Sequence, residues 1–219
     1  LRPIIANAVL AWNIAFEEAG FINAIEVKIQ PDDAEWSAGD IRYNTLRWTS
    51  SPNPPFGGYG PSFTNPRTGE ILGADIMLEW IYLTNRVRYS EIFDNQENHN
   101  EHFCQNSMVK QENRLFGKIA AEALDLNDKE VSRLYEEDLY QLILHEVGHT
   151  LGLNHNFASS TLHNNSDIHN PDVTYKEGLS ASVMDYHALN IAPLGVKQGQ
   201  YADIKPGKYD ILAIKYGYT

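Results

Sequence analysis

The chain has 219 residues, 42% hydrophobic and 21% charged, with a formal net charge of −12. That length suffices for one well-buried domain. The acidic balance argues against a nucleic-acid or anionic-lipid partner. No run approaches the roughly 18 apolar residues of a membrane span, and no secretory leader pattern is present. Cys104 is the single cysteine, so no internal disulfide forms and the redox compartment stays open. The opening Leu1-Arg2-Pro3 leads straight into helical pattern without an initiator Met, which suggests a piece of a longer precursor.

Arg2 to Gly20 reads as an amphipathic helix, with Pro3 in its first turn, Ile5, Val9, Trp12, Phe16 and Ala19 on one face, and Gly20 as its stop. Ile25, Val27 and Ile29 alternate with Glu26, Lys28 and Gln30, the pattern of a half-buried strand. Ile41 to Trp48 is a second expected strand. Residues 51–69 are rich in Pro, Gly and Asn turn signals and read as loop. Glu70 to Leu78 is a third strand, and Gly73 in its middle suggests a bulge or a close backbone approach. The pattern turns helical from Glu79 to about Phe93, polar from Asp94 to Ser107, then helical again over Met108–Leu124 and from about Asp128 to Leu151. This order predicts an α+β, or mixed α/β, domain.

The segment His145-Glu146-Val147-Gly148-His149-Thr150-Leu151-Gly152-Leu153-Asn154-His155 lies on the last of these helices. Histidines four apart share one helix face, so both imidazoles can reach one ion. Glu146 sits beside them, near enough to take a proton from activated water without being a ligand. Three neutral imidazoles leave a fourth position open, the arrangement of a catalytic rather than a structural zinc site. Gly152 lets the chain leave the helix in a left-handed conformation, which returns His155 towards the ion. Leu151 and Leu153 pack that turn onto the core.

The motif resembles the signature of the metzincin zinc peptidases, and Ser182-Val183-Met184-Asp185-Tyr186 resembles their methionine-containing turn. Closer still is a bacterial family of secreted or envelope zinc-dependent metalloproteases, in which Pro66–Ile71 and Met184-Asp185-Tyr186 recur. The resemblance implies one catalytic Zn²⁺ held by His145, His149 and His155, with Glu146 as general base. It implies a hydrophobic floor at Met184, unless that residue is plain core. Tyr186 would ligate zinc or bond the oxyanion, or would only pack. The implied domain spans 1–219, with lobes 1–152 and 153–219. Its sheet would be twisted and mostly parallel with an antiparallel edge strand, its first strand lying before residue 1. Backing helices, a zinc helix, the Met turn and a last helix near Tyr209–Tyr216 complete it. Leu72, Gly73, Ala74, Asp75 and Ile76 would form the edge to which a peptide or protein substrate adds as a strand. An extracellular, periplasmic or envelope location follows from the same resemblance.

Several groups carry weaker expectations. His163, Asp167 and His169, or His99, His102 and Cys104, offer second metal sites less simply than they offer loop residues. Glu136, Glu137 and Asp138 read as a solvated helix face, and His187 as support for the Met turn. The rival functions are a metal-binding module without catalysis and a zinc amidase on a non-protein substrate.

Overall fold

A computed structural model describes residues 1–51, 57–80 and 106–219. Its helices are α1 (Arg2–Leu10), α2 (Asn13–Glu18), α3 (Asn106–Ala123), α4 (Asp128–Thr150), α5 (Pro171–Glu177) and α6 (Lys208–Tyr218). Its strands are β1 (Thr45–Thr49), β2 (Gly58–Tyr59), β3 (Ser62–Thr64) and β4 (Ile71–Glu79). This is an α+β fold with a mixed sheet. Beyond residue 80, the helix expected to run to Phe93 lies outside the described residues, as do His99, His102 and Cys104.

The sheet is built on β4. On one side β1 pairs with it in parallel, from Thr45 opposite Asp75 to Thr49 opposite Glu79. On the other side β2 and β3 pair with it antiparallel, Gly58 opposite Leu78 and Ser62 opposite Ala74. The described sheet is mixed, with one parallel and two antiparallel pairings. One expectation is corrected here. Residues Leu72, Gly73, Ala74, Asp75 and Ile76 belong to the interior strand, and among the described residues the antiparallel edge is β2 and β3 instead. The register steps from Phe63 opposite Gly73 to Thr64 opposite Ile71, so Leu72 is the extra residue of a bulge beside the glycine.

Other differences have local causes. The long first helix is two short ones, because the chain turns at Ala11 and Trp12 before α2 begins. The 25–30 stretch is in no described strand. The Asn13 side chain takes both backbone groups of Ile25, donating to its carbonyl and accepting from its N–H, each at 2.9 Å. Ile29 is 69% exposed, so the alternation never found a partner. A turn in which Tyr43 N–H donates to Asp40 O delays the start of β1 to Thr45. Within 51–69, the glycine and proline signals concealed β2 and β3, since edge strands tolerate both residues.

Helix α4 starts at Asn127, whose side-chain oxygen accepts from the N–H groups of Lys129 and Glu130. From Leu139 to Gly148 all but Tyr140 are buried. A helix buried all round lies at the centre of its domain. The main core joins Trp12, Phe16, Leu78, Leu142, Val147, Met184 and Ile214 from five separate segments. Trp12 Nε1–H donates to Leu144 O at 3.1 Å, tying the first helices to α4. The face of Glu136, Glu137 and Asp138 is not solvated throughout. Glu136 is exposed, but Glu137 accepts from the N–H of Tyr201, and Asp138 is fully buried 3.1 Å from Arg114. The helix points these last two inward against α3 and the 199–202 segment. No helix among the described residues is long and apolar enough to cross a membrane.

Candidate metal centre

Helix α4 ends in a reverse turn that delivers the third histidine. Gly152 has φ +88°, the left-handed region expected of it. Gly152 N–H donates to His149 O and Leu153 N–H to Gly148 O, both at 3.0 Å, closing a Schellman turn. Leu153 is buried beneath it.

His145, His149 and His155 thereby converge, with one ligand nitrogen of each within 4.8 Å of the others. Among the described residues they are the one such cluster of His, Cys, Asp or Glu. His145 Nδ1–H donates to Val183 O at 2.8 Å and His149 Nδ1–H to Leu153 O at 2.9 Å. These bonds place the lone pair of each ring on Nε2 and orient it, as in metal-binding histidines generally. The Nε2 atoms of His149 and His155 are 3.0 Å apart. Two lone pairs at that distance repel unless a proton or a cation lies between them. Burial, then the charge of His149, holds His155 down at about 4, against the pull of Asp185. Burial also lowers His149. Both rings are therefore neutral at pH 7, the form that ligates a metal. Three imidazoles so arranged fit a divalent ion such as zinc.

Glu146 is fully buried, and burial pushes its carboxyl up to about 8, against a weaker opposing pull from the Gly60 N–H. Among the described residues, neither carboxyl oxygen has a hydrogen bond of ordinary geometry. A divalent cation nearby would favour its ionised form. Tyr186 brings its hydroxyl 2.9 Å from His155 Nε2. The exposed Phe157 ring packs on both, at 5.3 Å from the His155 ring and 5.0 Å from that of Tyr186.

Met184 is fully buried under the centre, and its sulfur fills the space above Gly148. The turn that carries it is bonded on three sides. Met184 O accepts from Asn156 N–H at 3.0 Å, next to the third ligand. Asp185 accepts from Ser159 Oγ–H and Ser160 N–H at 2.9 and 3.0 Å. Asp210, at the start of α6, accepts from Ser182 Oγ–H, Val183 N–H and Gly207 N–H at 2.6, 2.9 and 2.7 Å. His187 supports the turn as expected. Its Nε2 lies 3.0 Å from Asp203, which also accepts from Leu179 N–H and Ser180 Oγ–H, and it contacts Gln141 on α4.

His163, Asp167 and His169 do not come together as a site: His163 donates to Gly178 O, and Asp167 accepts from the Asn164 amide. Sequence reasoning missed Gly58, Gly60, Gly148, Asp203 and Asp210. Only Asp210 left a local signal, an acid three residues into a helix opened by Pro206-Gly207. The others matter through contacts with distant segments.

Residues 127–219, from the cap of α4 to the last residue, match a protein family described as Met-zincin. No curated protein and no solved structure matches the chain. The match contains all three histidines, Glu146 and the methionine turn. Over residues 127–219 the chain is similar to a metzincin-like family, and its histidine cluster lies within that stretch.

Proposed function

We propose that the chain is a zinc-dependent endopeptidase. The observation that carries this reading is the convergence of three imidazoles, two of them oriented by main-chain carbonyls, next to a buried carboxyl outside the histidine cluster. A purely structural site has no use for Glu146. His145, His149 and His155 would hold the ion. When bound, zinc supplies Lewis acidity, which acidifies water and polarises a carbonyl. Glu146 accepts the proton of the attacking water at its carboxylate and returns it to the leaving amine. Tyr186 donates its hydroxyl proton in a hydrogen bond to the oxyanion, for which its position beside His155 is suited.

A peptide is the favoured substrate because an antiparallel edge lies against the base. Among the described residues β2 and β3 are laddered only to β4, and β2 packs directly on Glu146. An extended chain adding along that edge would pass the centre. The resemblance supports an extracytoplasmic setting.

A peptide-library assay with Glu146→Ala as control tests the reading. Internal cleavage by the wild type that the variant lacks supports an endopeptidase. Zinc binding without cleavage would leave a binding module, and activity on small amides alone would indicate an amidase.

A further inference from the structure

Two glycines of the antiparallel edge meet one residue of the zinc helix. A Cβ on Gly58 would stand 2.9 Å from Oε1 of Glu146, 3.1 Å from its Cγ and 3.2 Å from its Cδ. A Cβ on Gly60 would stand 2.4 Å from the main-chain oxygen of Glu146. Residues two apart in an extended segment share a face, so this segment turns bare backbone towards Glu146.

The segment has little slack. Gly58 and Tyr59 are laddered to Leu78 and Met77, and Glu79 N–H donates to Gly57 O at 2.8 Å. The end of β4 is itself fixed. The buried Glu79 carboxylate accepts from Thr49 Oγ1–H and Ser51 Oγ–H at 2.7 Å and from Ser51 N–H at 3.0 Å. What this strap presses on is a carboxyl that, among the described residues, has no hydrogen bond of ordinary geometry, only the weaker pull of the Gly60 N–H. Packing against the strap therefore has a large share in defining its rotamer.

We propose that Gly58, supported by Gly60, is a positioning residue for Glu146: its lack of a side chain makes the wall that sets where the carboxylate stands. The proposal rests on Glu146 being the base. The two glycines differ in what a methyl group would displace. At Gly60 it meets backbone, so strand and helix must part. At Gly58 it meets the flexible end of a side chain, which can swing away while the fold survives.

The test is a double-mutant cycle of Gly58→Ala and Glu146→Ala, read by zinc content, thermal unfolding and steady-state kinetics. Gly58→Ala should keep its zinc and its KM but lose about 100-fold in kcat, the cost of a misplaced group. It should lower the unfolding midpoint in the wild type and not in Glu146→Ala, where the atoms it meets are gone. Gly39→Ala, whose nearest new contact is Ser37 Oγ at 4.0 Å, should be silent. If Gly58→Ala alone fails to fold, recovery of the fold in the double variant supports the contact, and failure of both overturns it. Wild-type kcat in Gly58→Ala, or an equal midpoint loss in both backgrounds, also overturns the proposal. Absence of hydrolysis by the wild type is a separate result. It removes the endopeptidase reading and the positioning role with it, while the unfolding cycle still reports whether the two residues touch.

Discussion

The sulfur of Met184 occupies the place that a side chain at Gly148 would need: a Cβ there would stand 2.3 Å from it and 3.0 Å from the ring of Trp12. Gly148, one of the two positions that the zinc motif leaves open between Glu146 and His149, is therefore not open in this chain. Gly148→Ala should destabilise the protein by about 1–3 kcal/mol through overpacking. Because it pushes on α4 between two ligands, it should also weaken zinc binding. Denaturant unfolding and a zinc titration would measure both, and near-identity to the wild type in each would refute the contact. Met184→Ala, which empties a fully buried site, should cost ~2–5 kcal/mol.

The metal assignment is tested by stoichiometry. Protein purified without chelator should carry one zinc per chain, and His149→Ala should lose most of it. Chelation should lower the thermal midpoint of the wild type, because an ion bound only by the folded state stabilises it. In His149→Ala the chelator should do little. Full zinc occupancy in that variant would discard the ligand set.

Base and oxyanion donor have separable signatures. Glu146→Gln should retain zinc and fold while turnover falls by orders of magnitude, since the proton acceptor is gone. Tyr186→Phe should lower kcat about 10- to 1000-fold with KM and zinc affinity little changed, if its hydroxyl acts mainly in the transition state. Weakened zinc affinity in Tyr186→Phe would make it a ligand instead, and unchanged rate and affinity would reduce it to packing.

Asp210 makes stability depend on pH. Burial raises its pKa from 3.8 to about 6, against the hydrogen bonds from Ser182, Val183 and Gly207. The folded state therefore binds this proton more tightly than the unfolded state does. Its contribution is fully present below pH 3.8 and is lost as pH rises through 6. The shift corresponds to ~3 kcal/mol across that window. Asp210→Asn keeps an acceptor for the backbone N–H groups and cannot ionise, so its stability should fall less between pH 4 and pH 7 than that of the wild type. Parallel stability–pH curves for the two proteins would show that Asp210 does not titrate as described.

The candidate site was legible in the sequence because it is local. His145, Glu146 and His149 follow from the 3.6-residue helical period. Gly152 follows from the left-handed turn that only it adopts cheaply, and together they bring His155 back within reach. The Met turn was legible only by resemblance, since Met184 and Tyr186 have no local periodic relation to the histidines. Patterns of alternation were less reliable. Residues 25–30 alternate well yet pair with nothing described, while Gly58 and Tyr59, hidden among turn formers, became the edge strand.

From sequence alone came the three histidines, the neighbouring Glu146 and the helix that carries them, because each is set by spacing within a few turns of one segment, and the α+β class, which follows from the order of the elements. Tertiary structure alone decided which strand forms the edge and which glycines are wanted for absence of bulk rather than for backbone freedom. It also decided that Asp203 and Asp210 hold the Met turn. Those are steric and hydrogen-bonding relations between segments far apart in the chain, and no one segment's residue pattern specifies its neighbour.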